Sequence, residues 1–129
     1  MSGPIVYIDR SEIREGKLEE VKAAIRELVD FVAANEPQLL SYHFHINGGG
    51  TRMIVVAVHP DSASLEFHMD VAGPVFRKFT RLIDLTAIEV YGDVSDAARK
   101  RLQEKAQMLG RGAALAHEPF AGFARFARH

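Results

Sequence analysis

Six consecutive apolar residues, Met53-Ile54-Val55-Val56-Ala57-Val58, constrain this chain more than any other feature. Their β-branched content favours a strand, and a strand with one wet face alternates apolar with polar. One that is apolar at every position is covered on both sides. The segments with helical periodicity are too few to cover both faces of a sheet in a domain of 129 residues. A second copy of the chain is therefore expected to cover the other face, the alternative being a monomer whose C-terminal helix does so.

The rest of the chain supplies a sheet for this strand to join. Ile5, Val6, Tyr7 and Ile8 form a first strand from Pro4 to Asp9 that runs into a polar turn. Leu18, Val21, Ile25, Leu28 and Val32 recur at helical spacing with charged residues off the stripe, and Pro37 closes that helix. Leu40 to Ile46 alternates, with Leu40, Tyr42, Phe44 and Ile46 on one face and Ser41, His43, His45 and Asn47 on the other. Asn47-Gly48-Gly49-Gly50 turns this strand into the apolar run as a hairpin. No helix follows these glycines to present its N-terminus to a phosphate, so they do not make a nucleotide loop.

Asp61 or Ser62 can cap a second helix with Leu65, Met69 and Ala72 on one face, and Gly73-Pro74 breaks it. A further helical segment turns Val75, Phe76, Phe79, Leu82 and Ile83 inward, and Thr86 to Asp93 alternates as a fourth strand. Ser95 can cap a third helix with a narrow stripe of Ala98, Leu102, Ala106 and Leu109, ended by Gly110. The order is βαββαβ, a ferredoxin-like α+β sandwich with an antiparallel sheet. Residues 1–94 make that domain. Residues 95–129 add a helix and a tail whose Phe120, Phe123 and Phe126 dock on the same domain or on the partner, as extra core rather than a ligand box.

Composition narrows the partners. With 16 basic and 17 acidic residues there is no net field to attract nucleic acid or an anionic membrane. The chain has no cysteine, which removes disulfides, thiolate nucleophiles and cysteine metal sites and suits a reducing cytoplasm. The N-terminal residues lack the basic start and apolar stretch of a secretion signal, and no segment reaches membrane-spanning length, so a cytoplasmic protein is expected.

The chemical resource is histidine, which titrates near neutral pH. His129 is terminal, His117 lies in the tail and His59 precedes Pro60 at a strand end, so each has a structural explanation. His43 and His45 share a strand face roughly 7 Å apart, the spacing of His-x-His metal sites. Two ligands do not make a site, and the hairpin puts His59 opposite residue 39 or 40, roughly 10 Å or more from His45. A hydrogen-bonded cavity lining explains the pair better, and no metal is expected. His68 sits at the edge of the buried arc of the second helix and looks toward the sheet, where a histidine is more often structural than a base. Glu89 and Tyr91 share a face of the fourth strand and can add an acid and a phenol, although solvation of an edge strand explains Glu89 equally well.

On residues 4–94 the chain resembles the antibiotic biosynthesis monooxygenase superfamily, dimeric α+β barrels that include cofactor-free quinol and polyketide oxygenases. The resemblance rests on the first strand, the Gly16-Lys17 helix start with Glu19-Glu20, the strands Leu40–Ile46 and Met53–Val58, and Ser64-Leu65-Glu66-Phe67-His68-Met69 ahead of Phe76. His68 and Phe76 match a helix pattern of His, small residue, second His and Phe. Gly73-Pro74-Val75 stands where the second histidine belongs and the chain has no tryptophan, which separates it from the haem-degrading branch.

The resemblance implies oxygenation without metal, flavin or other cofactor, the substrate itself supplying electrons to oxygen. Such a reaction needs an acidic aromatic or quinol, a base, and a pocket dry enough to protect the anion. His68 would be the catalytic base; His43, His45, Glu89 and Tyr91 would bind substrate oxygens; Phe67, Phe76 and Phe79, with Tyr42 and Phe44, would be walls. Strand parity sends either Tyr42 and Phe44 or the two histidines toward the helices, and one pocket takes both only across a bulge. The competing expectation is a non-catalytic dimeric barrel that binds a small apolar ligand or serves as an assembly module, which the missing tryptophan and second histidine favour. Both make the partners a second copy and a small molecule.

Overall fold

The computed structural model describes residues 3–126. Strand β1 (Ile5–Ile13) is followed by helix α1 (Leu18–Asn35), strands β2 (Ser41–Ile46) and β3 (Arg52–His59), helix α2 (Ser62–Phe76), a 3-10 turn (Arg77–Phe79), strand β4 (Ile83–Tyr91), helix α3 (Asp96–Leu109) and strand β5 (Gly110–His117). The sheet order is β2-β3-β1-β4-β5. The first four strands pair antiparallel in the ferredoxin-like order, with the helices on one face.

The sequence accounts for most of these boundaries. Asn47 builds the hairpin turn: its Oδ1 accepts from the backbone N–H of Thr51 at 2.8 Å and of Arg52 at 2.9 Å. Of the three glycines, only Gly50 takes a positive φ, at 68°. Asp61 caps α2 through the N–H of Ser64 at 2.9 Å, and Ser95 caps α3 through that of Ala98 at 3.0 Å. The stripe of α3 is buried as its spacing predicts.

Three elements depart from the sequence reading. First, α2 runs through Gly73-Pro74 to Phe76, with Pro74 in its last turn, and the predicted helical segment after it is reduced to the 3-10 turn. Second, β1 continues past Asp9 to Ile13, through the segment expected to be a polar turn, because Asp9 and Ser11 keep the inward alternation of Ile5 and Tyr7 and are buried. Third, the sheet is mixed, since residues 110–117 form a fifth strand parallel to β4. Its Gly-rich start allows a close approach: a Cβ on Gly110 would lie 2.3 Å from the carbonyl oxygen of Leu85, and one on Gly112 would lie 2.6 Å from the backbone of Thr86. Beyond it Phe120, Phe123 and Phe126 are exposed rather than packed as core on this chain. His129 lies outside the described residues.

The core sits between sheet and helices, from Ile5 and Tyr7 through Val55, Ala57, Leu85 and Ile88 to Leu65, Ala72, Phe76 and Leu102. Pairing shifts between Arg10 and Ser11 of β1, and the bulge keeps both Leu85 and Ile88, three residues apart, on the inner face. On the opposite face Ile54, Val56 and Val58 of β3 are only partly covered within one chain.

Candidate functional site

The inner face of the sheet holds polar groups where an apolar core would suffice. Asp9 and Ser11 on β1, Glu36 just past α1, His59 at the end of β3, His68 on α2 and Lys105 on α3 are all buried. Burying such groups costs free energy unless each finds a partner, so their pairings matter.

Two clusters result. In one, His68 Nδ1 donates to the Glu36 carboxylate, 2.8 Å from both oxygens. Burial holds the imidazole below its usual pKa, with Glu36 partly opposing, so His68 is neutral at pH 7 and Nε2 carries the lone pair. The ring lies edge-on to Tyr42 at 5.2 Å and Phe76 at 5.4 Å, with His59 at 5.6 Å. His59 bonds Ser64 Oγ through Nδ1 at 2.8 Å, while its buried Nε2 has no partner. Burial, with His68 and Lys105 nearby, lowers its pKa to about 3.

In the other cluster, Lys105 Nζ donates to Tyr7 Oη at 2.7 Å and to Asp9 Oδ2 at 3.3 Å. The Tyr7 hydroxyl donates to the same Asp9 oxygen. The ammonium also lies 4.1 Å from the Phe76 ring centroid, a cation–π contact. Burial lowers the Lys105 pKa against the pull of Asp9, and burial with Asp9 raises Tyr7 well above the usual phenol range. Asp9 Oδ1 and Ser11 Oγ are buried without a partner. Both line a cavity of about 20 Å³ with Tyr42, Phe44, Phe76, Phe79 and Lys105.

The structure brings together only part of the residue set expected from sequence. His68 and Phe76 pack against each other, and Phe76 and Phe79 line the inner cavity with Tyr42 and Phe44. Parity thus sends Tyr42 and Phe44 inward and His43 and His45 outward, exposed on the opposite face with ring centroids 6.3 Å apart. Glu89 and Tyr91 also face outward: Glu89 contacts His117 Nε2 at 3.1 Å and Arg10 at 3.3 Å, and Tyr91 stacks on His117. Phe67 is 44% exposed on α2 and lines neither cluster. Among the described residues, no group of three or more His, Asp or Glu is arranged to hold a metal ion, and no helix is long and apolar enough to cross a membrane.

Asp9, Ser11, Glu36 and Lys105 escaped the sequence reading. For three of them a signal was present: Asp9 and Ser11 continue the period-two face of Ile5 and Tyr7. Lys105, one residue before the stripe residue Ala106, stands three past Leu102 and four before Leu109. Glu36, beside Pro37, gave none.

The sequence profile of the family described as antibiotic biosynthesis monooxygenase matches residues 4–81. No functionally curated protein matches the chain. Among solved structures, MupZ from Pseudomonas fluorescens is similar at 22% identity over 95% of each chain, with a TM-score of 0.74. A candidate antibiotic biosynthesis monooxygenase from Caulobacter crescentus is 19% identical over 73% of this chain and 92% of its own, with a TM-score of 0.64. SnoaB, a cofactor-independent oxygenase from Streptomyces nogalater, is 12% identical over 72% of this chain and 95% of its own, with a TM-score of 0.61. The likeness to MupZ runs well past the profile match, so α3 and β5 belong to a shared fold.

Proposed function

The chain belongs to the antibiotic biosynthesis monooxygenase family, and from that premise we propose that it is a cofactor-independent monooxygenase of a small aromatic or quinol-type substrate, working on the helix-covered face of its sheet. The observation that carries the reading is the buried His68–Glu36 pair packed against Tyr42 and Phe76. Glu36 fixes the tautomer by accepting a hydrogen bond from Nδ1–H, so Nε2 is the base that accepts the substrate's hydroxyl proton. The aromatic walls keep water from quenching the anion, which is then electron-rich enough to reduce oxygen. One oxygen atom enters the product and the other leaves as water, all electrons coming from the substrate. SnoaB, a cofactor-independent oxygenase of similar fold, supports the reaction class.

The partly covered row of Ile54, Val56 and Val58, with Leu115 53% exposed beside β4, supports homodimer formation through the outer sheet face. Light scattering is expected to give twice the 14.3 kDa chain mass, and Val56→Asp to halve it. Lack of cysteine suits work in the cytoplasm. A second reading is a non-catalytic barrel that binds a small apolar ligand or serves as an assembly module, and the tight inner packing, which leaves a cavity of only about 20 Å³, favours the assembly module.

Oxygen uptake by metal-free protein across hydroquinones and phenolic polyketides separates the two. Protein-dependent uptake that falls at least tenfold in a dimeric His68→Ala variant supports the oxygenase. Saturable binding without uptake supports the ligand-binding barrel.

A further inference from the structure

Asp9 and Ser11 present an unexplained cost. Asp9 is 2% exposed and Ser11 1%, yet Oδ1 of one and Oγ of the other have no partner. Leaving a buried acceptor unpaired costs free energy, more for a charged group. The two side chains follow each other on the inner face of β1 beside a bulge, and both open on the same small cavity. The Asp9 carboxylate is thus divided. Oδ2 is held in place by the Tyr7 hydroxyl and Lys105 Nζ, while Oδ1 can accept a further hydrogen bond.

The cavity has a neighbour. Between α2 and α3 lies a cleft of about 270 Å³ with Met69, Gly73, Pro74, Phe76 and Met108 as its apolar lining and Asp70, Arg77, Arg101, Glu104 and Lys105 as its charged lining. Phe76 and Lys105 line the inner cavity as well, so this cation–π pair is the wall between the two spaces. The cleft has one apolar side and the size for an aromatic ring; the inner cavity has room for about one water-sized group.

We infer that the α2–α3 cleft and the inner cavity are two halves of one binding site for a small uncharged molecule with an apolar, ring-sized body and a single leading hydroxyl, donated to Asp9 Oδ1 and accepting from Ser11 Oγ. The Phe76 ring turns aside to admit the hydroxyl, while Lys105 stays anchored on Tyr7 and Asp9. The site is formally neutral, Asp9 offsetting Lys105 and the cleft's Arg77 and Arg101 offsetting Asp70 and Glu104, so it selects the neutral alcohol or phenol over a carboxylate or amine. Lys105 lies outside the segment that matches the family profile, whereas Asp9 and Ser11 lie within it, so only the cation of this polar end falls beyond that match. The inference rests on the reading above only in placing the substrate on the inner face; it concerns binding and requires no turnover.

The test is an amide-resolved NMR titration of the full chain with phenol, anisole and benzoate, under nitrogen. Phenol is expected to saturate with shifts at Asp9, Ser11 and Lys105, anisole to bind at least tenfold more weakly, and benzoate not to bind. Ser11→Ala, which leaves the ion pair intact, is expected to bring phenol within about threefold of anisole; Asp9→Asn should do the same where it folds. Equal affinities for phenol and anisole in the wild type, or a preference unmoved by Ser11→Ala, overturn the inference. So does the absence of phenol binding, which would leave an ordered water as the occupant. Oxygen uptake with hydroquinones is scored separately, so uptake can fail while the phenol preference stands, and the reverse.

Discussion

Both faces of this sheet carry polar side chains and use them in opposite ways. On the outer face of the single chain Glu89, His117 and Arg10 meet partly exposed, where ion pairs contribute about 0–1 kcal/mol and any member can be lost cheaply. On the inner face Asp9, Lys105, Tyr7, His68 and Glu36 are sealed beneath helices, where each ionised group relies on a particular partner. Side-chain chemistry alone does not separate a site from a surface; the cost of removing one partner does.

That difference predicts a graded set of effects. The largest follows Lys105→Ala, which strands the Asp9 carboxylate in the core: urea unfolding is expected to show a loss of about 3–5 kcal/mol. The double variant Asp9→Asn with Lys105→Met should recover most of it by removing both charges. A loss under 1 kcal/mol for the single variant would place Lys105 among the surface charges.

Next comes pH. His59 and His68 both have lowered pKa values in the folded protein, chiefly through burial, so the unfolded chain takes up their protons first as pH falls. Their contribution to stability is complete above an unfolded pKa of 6.5 and is lost as pH falls from there toward the folded value, about 3 for His59. Stability should decline by up to about 1.4 kcal/mol per pH unit for each histidine. His59→Asn should flatten the profile between pH 6 and 4, measured by thermal unfolding on a buffer series. An unchanged profile would mean that His59 is protonated in the fold.

The smallest effects belong to the outer face. His43→Ala and Glu89→Ala are each expected to change chain stability by less than about 0.5 kcal/mol. A loss comparable to that of Lys105→Ala would erase the contrast between the faces.

The sequence disclosed the fold further than the site because the two are written at different scales. Helix stripes, caps and the apolar run of β3 are repeated local signals, and Asp61, Ser95 and the Asn47 hairpin act where their spacing puts them. The site depends on single polar residues that violate those patterns. Asp9 and Ser11 look like the end of a strand until the strand is seen to continue, and Lys105 looks like solvated helix until Tyr7 and Asp9 are found beneath it. Glu36 lies 32 residues from His68 along the chain, a pairing no local pattern predicts. β5 was hidden for another reason: an Ala- and Gly-rich segment has little strand propensity, and close packing against Leu85 and Thr86 decides its conformation.

The central claim is that chemistry belongs to the inner face and assembly to the outer one. It is tested most directly by comparing hydroquinone-dependent oxygen uptake in His68→Ala with that in the double variant His43→Ala/His45→Ala. The account predicts at least a tenfold loss in the first and less than a twofold change in the second. The reverse pattern, with uptake lost on removing the outer histidines and retained without His68, would contradict it.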